Sequence, residues 1–334
     1  MLRATRRRML RIIAGLTALG AGPAVSEARH FRWTGSALGA VASLDLRHTD
    51  RWRALRLVDQ TVAEIARLEG IFSLQQAGSA LSRLNRDGRI AKPPLELVAV
   101  LETARTFSRL SGGAFDVTVQ PLWRLHADAA MRGSSPDRRD VERVLGHVGW
   151  QGIDIERRSI AFRRQGMAAT LNGIAQGYIT DRVTDLLRDA GVDELLVDLG
   201  ELRASGRPPP GHPWRVRTAV GQVLLADEAL AVSHARSADC CLPVGSPNVI
   251  SAVSGLPVLD GRSVAVRARS AMLADAASTA LAASSPLDAG TLLIRLAPLG
   301  VNPVAPAAPS GWRRLLGGSG RARQGLVLSF ASGG

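Results

Sequence analysis

Two oxygen-bearing side chains stand four residues apart in an alanine-rich segment. Asp275 and Thr279 fall in the predicted helix Ala271–Ala283, where this spacing puts them on one face. A carboxylate and a hydroxyl are ligands that Mg²⁺ prefers, and Mg²⁺ usually completes its shell with waters and substrate phosphates. The same residue types are common on solvated helix faces, so the pair alone leaves both interpretations open.

A second segment places Gly173 and Gly177 where a loop enters a helix. Backbone N–H groups at a helix start attract phosphate. The spacing matches neither the P-loop, whose Lys-Ser/Thr ending is missing, nor GxGxxG. Taken alone, the two glycines are at least as well explained by close helix packing.

Two more segments, Phe72–Asn85 and Gly112–Val119, carry polar residues and glycines in an apolar context. The complete set of motifs is SxLSxLN at Ser79–Asn85, GxFDVTV at Gly113–Val119, GIAxGYxxDR at Gly173–Arg182, LVxLGE at Leu196–Glu201 and SAMLADAxxTAL at Ser270–Leu281. In this order and spacing the set resembles the FAD:protein FMN transferase family (ApbE-type), from about Leu38 to about Ala283.

The resemblance implies an α+β fold related to the tunnelling folds, with a mixed sheet, packed helices and a cleft for FAD. It implies that Mg²⁺ is held by Asp275, Thr279 and the backbone carbonyl of Ala175, against the FAD pyrophosphate. A Thr or Ser hydroxyl of an acceptor protein attacks the FMN phosphorus, and AMP leaves. Such a transfer depends on positioning, on charge neutralisation and on a general base for the hydroxyl.

The resemblance also assigns residues to the flavin site. Five of the flavin-site positions match the family motifs, Ser79, Asn85, Asp116, Thr118 and Gly173, and two more, Asn172 and Gln75, stand at flavin-site positions with altered residues. Two of the matched motifs are altered. Gln75 stands where the family usually has a tyrosine that stacks on the flavin, and Gln176 stands where it commonly has a lysine.

The largest departure is in the segment Asn248–Gly255, where the family has HxxDPxTG. Asn248 replaces the histidine and Ser251 replaces the aspartate. The resemblance therefore assigns catalytic positions to Asp275 and Asn248. The amide of Asn248 does not titrate, unlike the histidine it replaces. His234, in the preceding segment, is a candidate to replace the histidine in space.

The elements that would position these side chains mix helices and strands. Apolar periodicity predicts helices at Arg53–Leu68, Leu95–Leu110, Ile174–Ala190 and Ala271–Ala283. Short apolar or alternating runs predict strands at Ala37–Leu46, Ser159–Phe162, Glu194–Leu199, Trp214–Thr218, Gln222–Leu225, Leu230–Ser233, Val249–Val253, Ser263–Ala268 and Gly325–Phe330. The polar segment Arg132–Asp140 predicts a loop. Without regular βαβ alternation, the pattern favours an α+β fold.

The composition excludes several classes of protein. The 334 residues carry a formal charge of +13 and are 46% hydrophobic. The arginines are dispersed without interleaved aromatic residues, so no nucleic-acid partner is predicted. No apolar run beyond the N-terminus approaches the roughly 18 residues of a membrane span, so none is predicted. The adjacent Cys240 and Cys241 do not readily pair with each other and have no metal-site spacing.

The N-terminus resembles a twin-arginine export signal. Thr5–Arg11 holds the arginines, and the apolar stretch Ile12–Ala24 follows. The stretch is short for an anchor, which predicts a signal peptide over residues 1–28 that is cleaved on export to the periplasm. Residues 29–334 are then predicted to form one transferase-like domain with room for two sub-lobes and a Pro/Gly/Ser/Arg-rich tail from about residue 301.

Three hypotheses remain open at this point. The first is a Mg²⁺-dependent FMN transferase that uses FAD and acts on an acceptor protein of a redox or respiratory system. The second is a degenerate exported FAD-binding protein or FAD pyrophosphatase, which the residues Gln75, Asn248 and Ser251 favour. The third is an exported partner-binding protein with a vestigial cleft, in which the alanines of the last predicted helix only pack.

Overall fold

The computed structural model describes residues 29–48, 50–208, 211–218, 221–235, 248–259 and 262–304. Within these residues, helices and strands follow one another without regular βαβ alternation. The helices are α1 (Arg51–Phe72), α2 (Ala80–Asp87), α3 (Leu95–Leu110), α4 (Gln120–Met131), α5 (Arg138–Leu145), α6 (Ala175–Asp189), α7 (Ala271–Ala283) and α8 (Pro286–Leu296).

The strands form antiparallel sheets. They are β1 (Arg29–Ala37), β2 (Ala40–His48), β3 (Arg89–Ala91), β4 (Ile153–Ile155), β5 (Ser159–Phe162), β6 (Leu195–Asp198), β7 (Leu202–Ser205), β8 (Trp214–Thr218), β9 (Gly221–Leu225), β10 (Ala229–His234), β11 (Ser263–Ala268) and β12 (Asn302–Val304). The main sheet has the order β1-β2-β6-β7-β10-β11-β12, and smaller sheets have the orders β3-β5-β4 and β8-β9. Together with the helices, these sheets confirm the predicted α+β class.

The two faces of the main sheet support different layers. Side chains alternate between the faces along a strand. In β10, Ala229 and Ala231 belong to the large core that includes α7, whereas Leu230 and Val232 belong to a smaller core with residues of the β8–β9 hairpin. The helices that carry the predicted metal ligands therefore lie on one face of the sheet.

The first predicted strand, Ala37–Leu46, is correct over Ala40–Leu46, which lies in β2, but its start runs through a tight turn. Leu38 and Gly39 have φ values of +46° and +90° and connect β1 to β2. The Leu38 N–H donates to Glu69 Oε1 on α1 at 3.0 Å, which ties the turn to the first helix. The favourable hydrogen bond accompanies a backbone conformation that non-glycine residues rarely adopt.

The segment Val249–Val253 was also wrongly predicted as a strand. It makes only an isolated bridge, between Ile250 and Pro257, and then turns at residues 252–254. The imidazole Nε2 of the buried His126 lies 2.8 Å from the Gly255 carbonyl oxygen and ties this hairpin loop to α4. Val249 packs in the large core and Ile250 in a small cluster beside α4 and α5, whereas Val253 is exposed.

The polar segment Arg132–Asp140 is a loop only in its first part. Helix α5 begins at Arg138, and the Asp137 side chain accepts the N–H of Arg139 as an N-cap. Strands β1, β3, β7 and β12 and helices α4 and α8 were not predicted. The predicted signal peptide, both cysteines and the predicted strand at Gly325–Phe330 lie outside the described residues. Among the residues described, no helix has the length and apolar character to cross a membrane.

Candidate functional site

Helix α7 is fixed at its start by two side chains from different parts of the chain. Ser270, the N-cap, accepts the N–H of Leu273 at 3.2 Å. Asp181 on α6 accepts the N–H groups of Ala271 at 2.7 Å and Met272 at 3.0 Å. Free N–H groups in the first turn of a helix need such acceptors. The cap is therefore split between a local serine and a carboxylate of a neighbouring helix.

A buried ion pair holds that carboxylate in place. Arg203 on β7 donates from Nη1 to Asp181 Oδ1 at 2.5 Å, and both side chains are largely buried. The same guanidinium lies 3.6 Å from the more exposed Asp185. The start of α7 is thereby connected through Asp181 to both α6 and the main sheet.

Helices α6 and α7 approach each other through two glycines. The Gly177 N–H donates to Asp275 Oδ2 at 3.0 Å, and a Cβ at Gly177 would clash with the Ala271 carbonyl. A Cβ at Gly173 would lie 2.7 Å from Thr279 Cγ2 and 2.8 Å from Thr279 Oγ1. Both glycines therefore serve close packing: the missing Cβ of Gly177 makes room for the Ala271 backbone, and that of Gly173 makes room for the predicted metal ligand Thr279.

The site is acidic and shielded from solvent. Burial, opposed by the hydrogen bond from the Gly177 N–H and assisted by the charge of Asp181, raises the pKa of Asp275 to about 8. Glu201 is also buried, and its burial, together with the neighbouring carboxyl groups of Asp275 and Asp198, raises its pKa well above the usual value. Among the described residues, Glu201 Oε2 has no hydrogen-bond partner. Glu201 was not among the predicted site residues, although it is the acidic residue that ends the apolar LVxLGE motif.

The side chains present fit a small hard cation. Asp275 Oδ1 makes no hydrogen bond within the described residues, and the one hydrogen bond of Thr279 Oγ1 there is with Ser233. Ala175, the third predicted ligand, is the first residue of α6. No group of three His, Cys, Asp or Glu side chains in the described residues could hold a metal. The protein would thus offer one carboxylate, one hydroxyl and one carbonyl and leave positions for water and phosphate, which suits Mg²⁺.

The backbone amides at the start of α6 are largely occupied. The Ala175 N–H donates to the Leu171 carbonyl at 2.8 Å, and the Gly177 N–H is bound to Asp275. The phosphate attraction expected for this helix start is therefore limited by bonds within the protein.

The motif segments converge on the extended stretch that leads into α6. The Asn85 side chain makes two hydrogen bonds with the Ala169 backbone. Its Nδ2 donates to the Ala169 carbonyl at 2.8 Å, and its Oδ1 accepts the Ala169 N–H at 2.7 Å. The Thr170 N–H donates to the Val117 carbonyl at 2.7 Å. Two motifs distant in sequence thus hold the stretch that leads to Gly173, which lies against Thr279 on α7.

Asp116 and Thr118 organise the turn that follows α5. Asp116 Oδ1 accepts both the N–H and the hydroxyl of Thr118, and Oδ2 accepts the Trp150 N–H at 2.8 Å. Thr118 Oγ1 accepts the Gly149 N–H at 2.7 Å. Burial raises the pKa of Asp116, and these hydrogen bonds oppose the rise. Asp116 and Trp150 line an open cavity of about 360 Å³. The predicted flavin contacts of Asp116 and Thr118 remain predictions.

Other predicted flavin residues lie at the surface or bind their own segment. Ser79 caps α2 by accepting the Ser82 N–H at 3.0 Å, and its hydroxyl donates to the Ser73 carbonyl at 2.6 Å. Gln75 is exposed, and its Oε1 accepts the Ser73 hydroxyl at 3.0 Å. Asn172 is exposed beside Gly173.

Asn248 lies beside the end of β10, where its N–H donates to the Ala235 carbonyl at 3.2 Å. His234 is the neighbouring residue, but alternation along β10 turns it away from the face on which Ser233 meets α7. The His234 Nδ1 is 2.8 Å from Ser263 Oγ, and burial lowers its pKa. His234 is therefore poorly placed to replace the histidine that Asn248 lacks.

These features define a class: an α+β protein whose antiparallel sheet supports two closely packed helices, with an acidic, oxygen-lined site between them. The chain belongs to the ApbE family, because the model of that family matches residues 38–299. The predicted family is thereby confirmed.

Relatives and solved structures agree with this membership. A FAD:protein FMN transferase of Chlamydia pneumoniae is 28% identical over 177 residues, which cover 50% of this chain and 55% of that relative. One of Klebsiella pneumoniae (strain 342) is 27% identical over 183 residues, with 53% and 56% covered. The chain thus matches about half the length of these relatives. The apo flavinyl transferase ApbE of Pseudomonas stutzeri shares the fold, with a TM-score of 0.71 and 24% identity over 84% of this chain and 93% of that one.

Proposed function

We propose that this chain transfers the FMN moiety of FAD to a Thr or Ser hydroxyl of an acceptor protein, with Mg²⁺ bound and with release of AMP. One observation carries the proposal: the start of α6 meets α7 so that Gly177 contacts Asp275 and Gly173 contacts Thr279. Membership of the ApbE family and the names of its relatives support the same activity.

In the proposed reaction, the acceptor oxygen forms a bond to the FMN phosphorus. The bond from that phosphorus to the bridging oxygen of the pyrophosphate breaks, and the oxygen leaves with AMP. The acceptor hydroxyl gives up its proton to a base. A bound Mg²⁺ would neutralise charge on the pyrophosphate. Asp275, Thr279 and the Ala175 carbonyl would hold it, and Gly177 orients the Asp275 carboxylate through its N–H.

The proposed partners and location follow from the N-terminal sequence and the chemistry. A twin-arginine signal would export the folded chain to the periplasm. An acceptor reached there would belong to a redox or respiratory system, because covalent FMN provides a fixed electron carrier. The location is tested by fractionating cells that express the chain with and without the pair Arg6 and Arg7.

A flavinylation assay tests the proposed activity. The purified chain is incubated with FAD, Mg²⁺ and a candidate acceptor that carries a reactive threonine, and covalent flavin is read by in-gel fluorescence and acceptor mass. Asp275→Asn should abolish labelling. Asp140→Asn, an exposed carboxylate that pairs with Arg143 on α5, is the matched control and should label normally. Equal labelling by both variants would contradict the assigned metal role.

A second function is favoured by one specific feature, the amide of Asn248 at the family's histidine position. If the chain binds FAD without activating an acceptor hydroxyl, it is a degenerate flavin-binding protein or a FAD pyrophosphatase. The same incubation separates these outcomes when free FMN, free AMP and bound FAD are also measured. Release of FMN and AMP without acceptor labelling identifies a pyrophosphatase, and FAD binding without AMP release identifies a binding protein. If the chain neither binds FAD nor releases AMP, the result favours a partner-binding protein with a vestigial cleft.

A further inference from the structure

We propose that Ser233 is a positioning residue that fixes the direction of the Thr279 hydroxyl proton, so that Thr279 Oγ1 faces the site only as an acceptor. Three hydroxyl groups form a chain between β10 and α7. Ser233 Oγ lies 2.7 Å from Ser278 Oγ and 3.2 Å from Thr279 Oγ1. Ser278 Oγ lies 3.0 Å from the Asp275 carbonyl oxygen. This inference rests on the proposed function, because it concerns the ligand set of the same site.

The direction of every proton in the chain follows from its fixed end. A carbonyl oxygen only accepts, so Ser278 donates to the Asp275 carbonyl. Each hydroxyl has a single proton to donate. Ser278 therefore accepts from Ser233, and Ser233 in turn accepts from Thr279.

The consequence is that the Thr279 hydroxyl donates its proton to Ser233, away from the site. Thr279 makes no other hydrogen bond within the described residues, so the lone pairs of its Oγ1 are not used by the protein there and can face a ligand. The hydroxyl also contacts Gly173, whose missing Cβ leaves the approach open. An oxygen that can only accept suits a cation, whereas a freely rotating hydroxyl would present its proton for part of the time.

The order does not depend on a titrating group. The chain ends at a backbone carbonyl of α7, the helix that carries both Asp275 and Thr279. The hydroxyl direction is therefore set by the packing of β10 against α7 and not by pH.

Metal binding measured without FAD tests this inference. Mn²⁺ serves as the probe, and free Mn²⁺ is followed by electron paramagnetic resonance during titration of the full chain. Ser233→Ala should raise the dissociation constant for Mn²⁺ about three- to tenfold, which corresponds to one ordinary hydrogen bond. Ser233→Thr keeps a hydroxyl and should restore the affinity to within about twofold.

Two further variants separate positioning from general packing. Ser284→Ala removes another buried hydroxyl, at the C-terminal end of α7, whose one bond within the described residues is to the Ala280 carbonyl. It should leave the Mn²⁺ affinity unchanged. Ser278→Ala replaces serine in α7 by alanine, a stronger helix former, and should therefore fold even if Ser233→Ala does not. It frees the Ser233 proton and should weaken Mn²⁺ binding by a smaller factor than Ser233→Ala.

The outcomes distinguish this inference from the proposed function. Equal Mn²⁺ affinity in Ser233→Ala and wild-type protein overturns it, as does an equal loss in Ser284→Ala. A wild-type chain that binds no Mn²⁺ also overturns it. Mn²⁺ binding that follows the expected order of variants, without any FMN transfer to an acceptor, supports the role of Ser233 and overturns only the proposed activity.

Discussion

At the scale of single residues, the Asp275 carboxyl group lies in surroundings that oppose its ionisation. It is buried, it faces the charge of Asp181, and it adds to the charge felt by Glu201. The N–H of Gly177 is the one hydrogen bond that stabilises its ionised form within the described residues. A buried carboxylate in this position is unstable without a cation and becomes favourable once a cation binds.

The pH dependence of the metal-free chain should reveal this carboxyl group. Its pKa is 3.8 in a model peptide and about 8 in the fold, so the folded form holds the proton more tightly. Its stabilising contribution is therefore complete below about pH 4 and is lost as the pH rises through about 8. Thermal unfolding in EDTA should show wild-type protein losing stability relative to Asp275→Asn as the pH rises from about 5 to about 9. A constant difference between the two proteins would contradict the shift.

The sequence identified the residues whose partners are close in the chain. Asp275 and Thr279 share a helix face because they are four residues apart, and this spacing is visible in the sequence. Glu201, in the turn between β6 and β7, and Ser233, on β10, reach the same site from distant parts of the chain, so no sequence spacing links them to Asp275. The sequence also did not show that His234 lies on the face of β10 opposite α7. That follows only from the structure, in which the neighbouring Ser233 contacts α7 and His234 contacts Ser263.

At the scale of elements, the contact between α6 and α7 tolerates no side chain at Gly177. We expect Gly177→Ala to destabilise the fold by about 3 kcal/mol, because its Cβ would meet the Ala271 backbone and force the helices apart. Chemical denaturation measures the loss. Gly70→Ala is the matched control, because Gly70 lies in α1 with no atom within 4 Å of an added Cβ. It should stabilise the chain by about 0.5–1 kcal/mol through helix propensity.

The split cap of α7 gives a second prediction. Asp181→Asn leaves one acceptor oxygen for two N–H groups and removes the charge that pairs with Arg203. We expect a loss of about 1–3 kcal/mol in the free energy of unfolding. Asp185→Asn changes a more exposed carboxylate 3.6 Å from the same guanidinium and should change stability by less than about 0.5 kcal/mol. Equal losses in the two variants would assign the effect to Arg203 and not to the cap.

Elements with clear boundaries were predicted well. The predicted bounds of α3, α7 and β11 coincide with those observed, because proline, serine or glycine flanks a periodic apolar segment. Helix α5 was missed because it begins inside a polar segment with proline and serine. The loop Val249–Val253 was mistaken for a strand because its apolar residues pack without a ladder partner.

At the scale of the whole molecule, the main sheet joins the two ends of the described chain. Strand β2 pairs with β6, as in Leu44 with Val197, and β11 pairs with β12. We expect one cooperative unfolding transition, with coincident midpoints for far-ultraviolet circular dichroism and tryptophan fluorescence, because neither half completes the sheet alone. Two separated transitions would instead favour independently folding sub-lobes.

This long-range pairing was beyond the reach of sequence patterns. The predicted class followed from the mixture of helices and strands, whereas strand order depends on contacts between residues more than a hundred positions apart. Apolar alternation indicates which face of a strand is buried but not which strand lies next to it.

The split cap of α7 has a consequence for motion. Most helices fray at their ends, because their terminal N–H groups exchange bonds with water. In α7 the N–H groups of Ala271, Met272 and Leu273 are all held by side chains, two of them by a residue anchored to the sheet. The helix is therefore stiff at the end where helices are usually loose. Asp275 and Thr279, one and two turns further on, need no ordering when a ligand arrives, so binding would lose little conformational entropy there.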